Sequence, residues 1–154
     1  MLALSPMQTL GIMPQTKGTA MPGKATHAHT RGQALEVGQL IDVTATAQDA
    51  RFRHSVALTR AAWTYAVAWD DSHPEPQADD ARLWDVLYMA GLAARNAAGE
   101  QLSMFDLYRV PNARRPSFWC EAEKVTLGLT IGPGDRGEPV FTVMCIEEYK
   151  NFPY

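Results

Sequence analysis

Four groups of residues in this 154-residue chain have side chains able to do chemistry. His27 and His29 stand two apart, with His54 further along, and imidazoles so placed suggest a metal site. A structural zinc site needs four ligands at characteristic spacings. HAH followed by neither CxxC nor HxxxH does not supply them, so no metal is expected. His29, Thr30 and Arg31 could bind a nucleotide, provided that Glu121, Glu138, Glu147 or Glu148 came close enough to act as the acidic partner. Sequence spacing places none of those glutamates. The glycine-rich GPGDRGEP allows close approach of backbone amides to an anion. It lacks the Lys and the Ser or Thr of a P-loop and joins two strand patterns, so a hairpin is expected, with Asp135 and Arg136 as its exposed groups. Nucleophilic catalysis has no GxSxG elbow and no recognisable Cys, His and Asn setting, so no catalytic residue and no cofactor is assigned.

The fourth group is aromatic. Trp63, Tyr65 and Trp69 share one short helical stretch, and Trp84 and Tyr88 share the next. Trp63 and Trp84 are expected in the core, where indole burial removes the largest apolar area from water. Tyr65, Trp69, Phe118 and Trp119, with Arg114 and Arg115 beside the last two, are the candidates for a partner surface, since Trp, Tyr and Arg dominate interface anchors. A basic aromatic loop also suits single-stranded nucleic acid. The net charge of −3 and a pI near 5.8 give no long-range attraction to a polyanion, which disfavours that partner. With 17 acidic against 14 basic residues, the chain is also too balanced to imitate the phosphate array of DNA.

The elements that must position these groups follow from periodicity. Thr30 is a helix N-cap and Gly38 a left-handed stop, which predicts a short helix between them. LIDV, residues 40–43, is a short strand, and Thr44 or Thr46 restarts a helix through Ala50 and Arg51. Val56, Ala57 and Leu58 are extended, and Thr59 caps the helix RAAWTYAVAW. Pro74 and Pro76 lie in an acidic loop, after which Asp80 precedes a helix with Leu83, Val86, Leu87, Ala90 and Ala94 on its inward face and Gly99 as its stop. Gly91 within that helix implies close packing or drift. Period-two patterns over QLSMFDLYRV, Val125 to Ile131 and PVFTVMCIEE then give three meandering strands. The expected fold is α+β, a small three- to five-stranded, mainly antiparallel sheet packed against several helices.

One domain accounts for the length, and 46% hydrophobic with 20% charged residues is enough for a core. Residues 1–24 mix proline, glycine and polar residues without periodicity and are expected to form a disordered tail before a single domain at 25–154. No sustained apolar core of a signal peptide and no membrane-length run occur, so a cytoplasmic protein with no membrane partner is expected. Cys120 and Cys145 then read as small residues buried on strands, not a disulfide.

HTRGQALEVGQLIDV, together with SVALTRAAW and RLWDVLYMA, resembles a family of small proteins from phages, plasmids and other mobile elements whose typical form reads YTRAQALADGVLVDV. The family carries no activity that can be transferred. It also favours GPGD before a strand, which keeps a functional role for that loop open. His29 stands where the family has tyrosine, which implies a hydrogen-bonding aromatic ring at a helix start and not a metal ligand. Capping and burial account for the other residues of the motif and leave His29, Arg31, Gln33 and Asp42 as a candidate polar site. The resemblance implies a non-enzymatic accessory or counter-defence protein, anti-CRISPR-like, that inhibits a host protein complex. The alternative is a small enzyme acting on nucleotide or nucleic acid through His29 and Arg31, as related triplets do in some ADP-ribose-transferring folds.

Overall fold

A computed structural model describes residues 29–70, 77–111 and 122–152. They form helix α1 (Arg31–Glu36), strand β1 (Leu40–Asp42), α2 (Thr44–Asp49), β2 (Val56–Thr59), α3 (Arg60–Ala62) continued by a π-turn (Trp63–Val67), α4 (Asp79–Asn96), β3 (Leu102–Arg109), β4 (Glu123–Pro133), β5 (Pro139–Cys145) and a closing 3₁₀ turn (Ile146–Asn151). The five strands make one sheet in the order β1-β2-β5-β4-β3. All neighbours are antiparallel except β2 and β5. The fold is therefore α+β, a mostly antiparallel sheet packed against helices, as the periodicity indicates. The parallel β2–β5 pair is the feature that local patterning does not supply. The tail assigned to residues 1–24, and His27, lie outside the described residues.

Local chemistry explains the first unit. Thr30 is extended, its hydroxyl accepts from the Gln33 amide, and the Gln33 side chain accepts from the Thr30 amide, a complete capping box. Gly38 ends α1 at φ +71°, so the left-handed backbone conformation favours glycine there, while the atom nearest an added Cβ is the end of the exposed Arg60 side chain, which can move aside. Thr59 caps α3 by accepting from the Ala62 amide. The helix expected after it opens into a π-turn, closed by Ala68 N–H to Trp63 C=O at 2.9 Å. α2 starts at Thr44, as expected, but the Thr44 side chain does not cap it. The Thr44 hydroxyl accepts from Val56 N–H and donates to Val56 C=O, so it ties α2 to β2, and the N-cap residue of α2, Val43, offers no side-chain acceptor. α4 starts one residue before Asp80, with Asp79 and Asp80 both in its first turn, where the helix dipole favours them.

The sheet's two faces are covered unequally. On one, Val56, Leu58, Val125, Leu127 and Val143 pack against Ala47 of α2, Ala62, Ala66 and Val67 of α3 and its π-turn, and Leu83, Val86, Leu87 and Ala90 of α4. On the other, α1 covers the β1–β2 side through Ala34, Leu40 and Ala57, with Leu35 and Phe152 at the edge. Further along that face Met104 and Tyr108 of β3 are 65% and 70% exposed, while Phe105 and Leu107 turn inward. Trp63 packs against the core as expected, but Trp84 is 40% exposed. The correction has a geometric cause. Arg82, Leu83, Val86, Leu87 and Ala90 take the inward stripe of α4, and the helical repeat turns Trp84 and Tyr88, one turn apart, outward. Gly91 is buried, and a Cβ there would meet the Phe52 ring at an ordinary 3.5 Å. No described helix is long and apolar enough to cross a membrane.

Candidate functional site

The residues that capping and burial leave over are the ones the structure uses to close the fold. Arg31, at the first position of α1, is 7% exposed; its Nη1 donates to Thr142 Oγ1 at 2.8 Å and its Nη2 to Phe141 C=O at 3.0 Å. The Asp135 carboxylate accepts from the Arg31 amide at 2.8 Å and from the Gly32 amide at 2.7 Å. The β4–β5 hairpin thus supplies the anion for the α1 N-terminus, and α1 returns a guanidinium to β5. Burial holds the Arg31 guanidinium below its ordinary pKa, while the charges of Asp42, Asp135 and Glu138 oppose the shift. Gln33 completes the capping box, Asp42 Oδ1 accepts from the Thr44 amide, and His29 Nδ1 lies 3.3 Å from Gln39 Oε1.

GPGDRGEP is a hairpin loop, as its composition indicates. Its amides are used internally. Gly134 N–H donates to Glu138 C=O, Gly137 N–H to Gly134 C=O, and Arg136 N–H to the Glu138 carboxylate, so these three do not form an open anion cradle. Among the described residues no three His, Cys, Asp or Glu side chains converge where a metal ion could sit.

A different constellation occupies the opposite end of β4, where Arg109, the last residue of β3, pairs in register with Glu123. Arg82 of α4 is 5% exposed, and its Nε donates to Val67 C=O at 2.8 Å. Its Nη1 donates to Gln77 Oε1 at 3.1 Å and to Val110 C=O at 3.2 Å. Each arginine also lies over an aromatic ring: Arg82 is 4.9 Å from the Trp69 centroid and Arg109 is 4.7 Å from that of Tyr65. Burial pushes the Arg82 pKa down, and the charge of Arg109 pushes it further, against Asp79 and Asp85. Arg82 Nη2, Arg109 Nε and Arg109 Nη1 are buried with no hydrogen-bond partner among the described residues.

Two hollows adjoin this cluster. A cavity of about 170 Å³ is lined by Arg82, Arg109, Gln77, Asp85, Leu107 and Val110. A wider trough of about 1050 Å³ is lined by Arg60, Tyr65, Arg109, Lys124, Cys145 and Glu147, so Arg109 belongs to both. Cys145 is half-buried at the end of β5, and its thiol is pushed up to about 11 by burial and then by Glu148 and Glu147. Glu148 is held in place, its Oε2 accepting from the Thr59 hydroxyl at 2.7 Å and from the Cys145 amide at 2.9 Å. A thiol kept protonated in this way is a poor nucleophile.

The structure therefore divides the sequence candidates. Arg31, Gln33 and Asp135 come together at one end, with Asp42 and His29 on neighbouring hydrogen bonds and Arg136 in the exposed hairpin. Tyr65 and Trp69 come together at the other. Arg114, Arg115, Phe118, Trp119, Cys120 and Glu121 lie outside the described residues. Sequence reasoning misses Arg82 and Arg109. A signal for both exists: Arg82 falls on the stripe of Val86 and Ala90, and Arg109 falls on the period-two register of Phe105 and Leu107, so each is a cation at an inward position.

What these features define is a small α+β protein with a closed polar latch at one end of its sheet and an open arginine–aromatic cluster at the other. The chain belongs to the family of unknown function DUF6573, whose model matches residues 21–149. No curated protein and no solved structure matches it.

Proposed function

We propose that this protein is a non-enzymatic binding protein that docks a partner protein at its arginine–aromatic end. The observation that carries the reading is the pairing of Tyr65 with Arg109 and of Trp69 with Arg82 beside an open trough. Aromatic and arginine side chains supply most of the energy in protein interfaces. Here each ring already rests against an arginine, which reduces the freedom lost on docking. The trough carries Arg60, Arg109 and Lys124 against Glu123 and Glu147, and Lys124 is paired with Asp106 at 2.8 Å, so Arg60 and Arg109 are the cations that would meet acidic side chains of a partner. The segment 112–121, with Arg114, Arg115, Phe118 and Trp119, is joined to this same end through Pro111 and Ala122. By its resemblance to proteins of phages and plasmids, the partner is a host complex and the effect is inhibition, in the manner of a counter-defence, anti-CRISPR-like factor.

The rival reading, a nucleotide- or nucleic-acid-modifying enzyme built on His29 and Arg31, has less support. Arg31 is committed to Thr142 and Phe141, and Asp135, the carboxylate nearest in its bonding network, is committed to backbone amides. The test is quantitative capture from a bacterial lysate with the tagged chain, its Tyr65→Ala/Lys124→Glu double variant, and Gln48→Ala on exposed α2 as control. A partner that binds the intact chain and Gln48→Ala but is lost at least tenfold by the double variant supports docking at the trough. Equal capture by all three sinks it, and a chain that captures nothing returns weight to the enzyme.

A further inference from the structure

We infer that the cavity between Arg82 and Arg109 binds the phosphate group of a phosphate monoester, with the rest of that ligand lying in the adjoining trough. The first argument is the unused donor capacity. Arg82 Nη2, Arg109 Nε and Arg109 Nη1 are withdrawn from water and have no acceptor among the described residues. Buried polar groups in folded proteins are almost always satisfied, and an unsatisfied charged donor is costly. Three such nitrogens on two neighbouring guanidiniums mark a place where an acceptor belongs.

The second argument is charge. Arg109 opposes the charge of Arg82, so two cations are held close together in a part-desolvated setting. Asp85 is the acidic residue on the cavity wall, with Asp79 acting on Arg82 and Glu123 opposite Arg109 in register, and none of these carboxylates accepts from the three unpartnered nitrogens. An anion seated between the arginines relieves their repulsion and supplies an acceptor to each guanidinium.

Geometry selects the kind of anion. In a guanidinium, Nε and Nη1 lie on different edges, so the free donors of Arg109 cannot both meet one planar carboxylate in a side-by-side fork. One anion can therefore meet only one edge of Arg109, together with Arg82 Nη2; these donors belong to separate guanidiniums, and a tetrahedral oxyanion accepts from both without requiring the two planes to coincide. Size completes the assignment. About 170 Å³ is below the roughly 300–1,000 Å³ of sites that enclose whole organic ligands, so the cavity takes the charged group alone. Arg109 lines the trough as well, with Tyr65 beside it, which gives the remainder of a monoester an aromatic wall, while Lys124 there is already paired with Asp106 at 2.8 Å. Arg82 is already fixed by Val67 and Val110 carbonyls and needs no reorganisation, while Arg109 is only partly buried, so the ligand enters from its side.

The inference does not rest on docking of a partner protein, since the purified chain alone tests it. Isothermal titration at constant ionic strength compares inorganic phosphate, phenyl phosphate and a phosphoserine peptide. Saturable one-to-one binding of inorganic phosphate is expected, with phenyl phosphate about tenfold tighter through Tyr65. Arg109→Gln should weaken both at least tenfold, and Tyr65→Ala should remove only the gain of the phenyl ester. Arg82→Lys keeps a charge but not the fork, and provides the second reading where a larger change at Arg82 would unfold the chain. Tighter binding of the phosphoserine peptide than of phenyl phosphate identifies a protein side chain as the source of the phosphate, and the reverse order identifies a small molecule. No saturable binding, or binding unchanged in both Arg109→Gln and Arg82→Lys, overturns the inference.

Discussion

Buried arginine occurs at both ends of β4, and the two ends use it differently. At the hairpin end, Arg31 donates to Thr142 and Phe141, and the Asp135 carboxylate lies across the α1 N-terminus, so donors and acceptors are matched. At the far end Arg82 and Arg109 face each other's charge, and three of their nitrogens have no acceptor among the described residues. The difference separates a cation that holds a fold together from a pair that the fold holds in place at its own expense. Stability alone would not maintain the second arrangement, because apolar residues of similar size in those positions would be equal or better. The proposed binding would use that unmatched donor capacity.

The largest effect expected from breaking this contrast is at the matched end. Arg31→Met removes two charged hydrogen bonds and strands Thr142 and the Phe141 carbonyl, so urea denaturation should show a loss of about 2–4 kcal/mol. A loss under about 1 kcal/mol would mean that the latch is decorative.

Cys145 sharpens the comparison at the other end. With its thiol pushed up to about 11, the thiolate fraction at pH 8 is on the order of a hundredfold below that of an ordinary cysteine, and alkylation by iodoacetamide in a Cys120→Ser background should be slower in proportion. The sign for stability follows from linkage. The folded chain holds this proton more tightly than the unfolded chain, so the contribution is complete below the ordinary thiol pKa and is lost as pH rises toward 11. Rapid alkylation at pH 8 would show instead that the cations of the trough activate the thiol.

Asp135→Ala comes next. It uncovers the Arg31 and Gly32 amides at a helix start, and a loss of about 1–2 kcal/mol is expected in the same denaturation measurement, with Asp135→Asn falling between it and the intact chain. The smallest effect belongs to Arg109→Gln. It removes a ring contact and a like-charge repulsion together, so stability should change by under about 1 kcal/mol in either direction. Should Arg109→Gln cost as much as Arg31→Met, the two ends would be equivalent and the contrast would fail.

Much of the local architecture is legible in the residues. Thr30 with Gln33, Gly38, Thr59 and the alternation of β3 to β5 each act within one turn or one strand pair, so their consequences can be read from neighbours in the chain. The inward stripe of Leu83, Val86 and Leu87 is legible too, and it already places Trp84 off that face; the expectation of a buried Trp84 rested on indole area, which the helical repeat overrides. Thr44 is not legible in this way, because its hydroxyl found Val56 across a loop instead of its own helix.

The candidate polar site shows the same division. The sequence by itself determined that a helix starts at Thr30, that Gly38 ends it, that the last three strands form a meander, and that His29, Arg31, Gln33 and Asp42 needed an explanation. Only the tertiary structure decided what that explanation is. Placing β2 parallel to β5 brings Arg31 within reach of Thr142 and Asp135, more than a hundred residues away in the chain, and turns unexplained polar residues into a latch. The same packing brings Arg82 and Arg109 beside Trp69 and Tyr65. Contacts of that separation depend on the register and layering of the whole sheet, which no local period encodes.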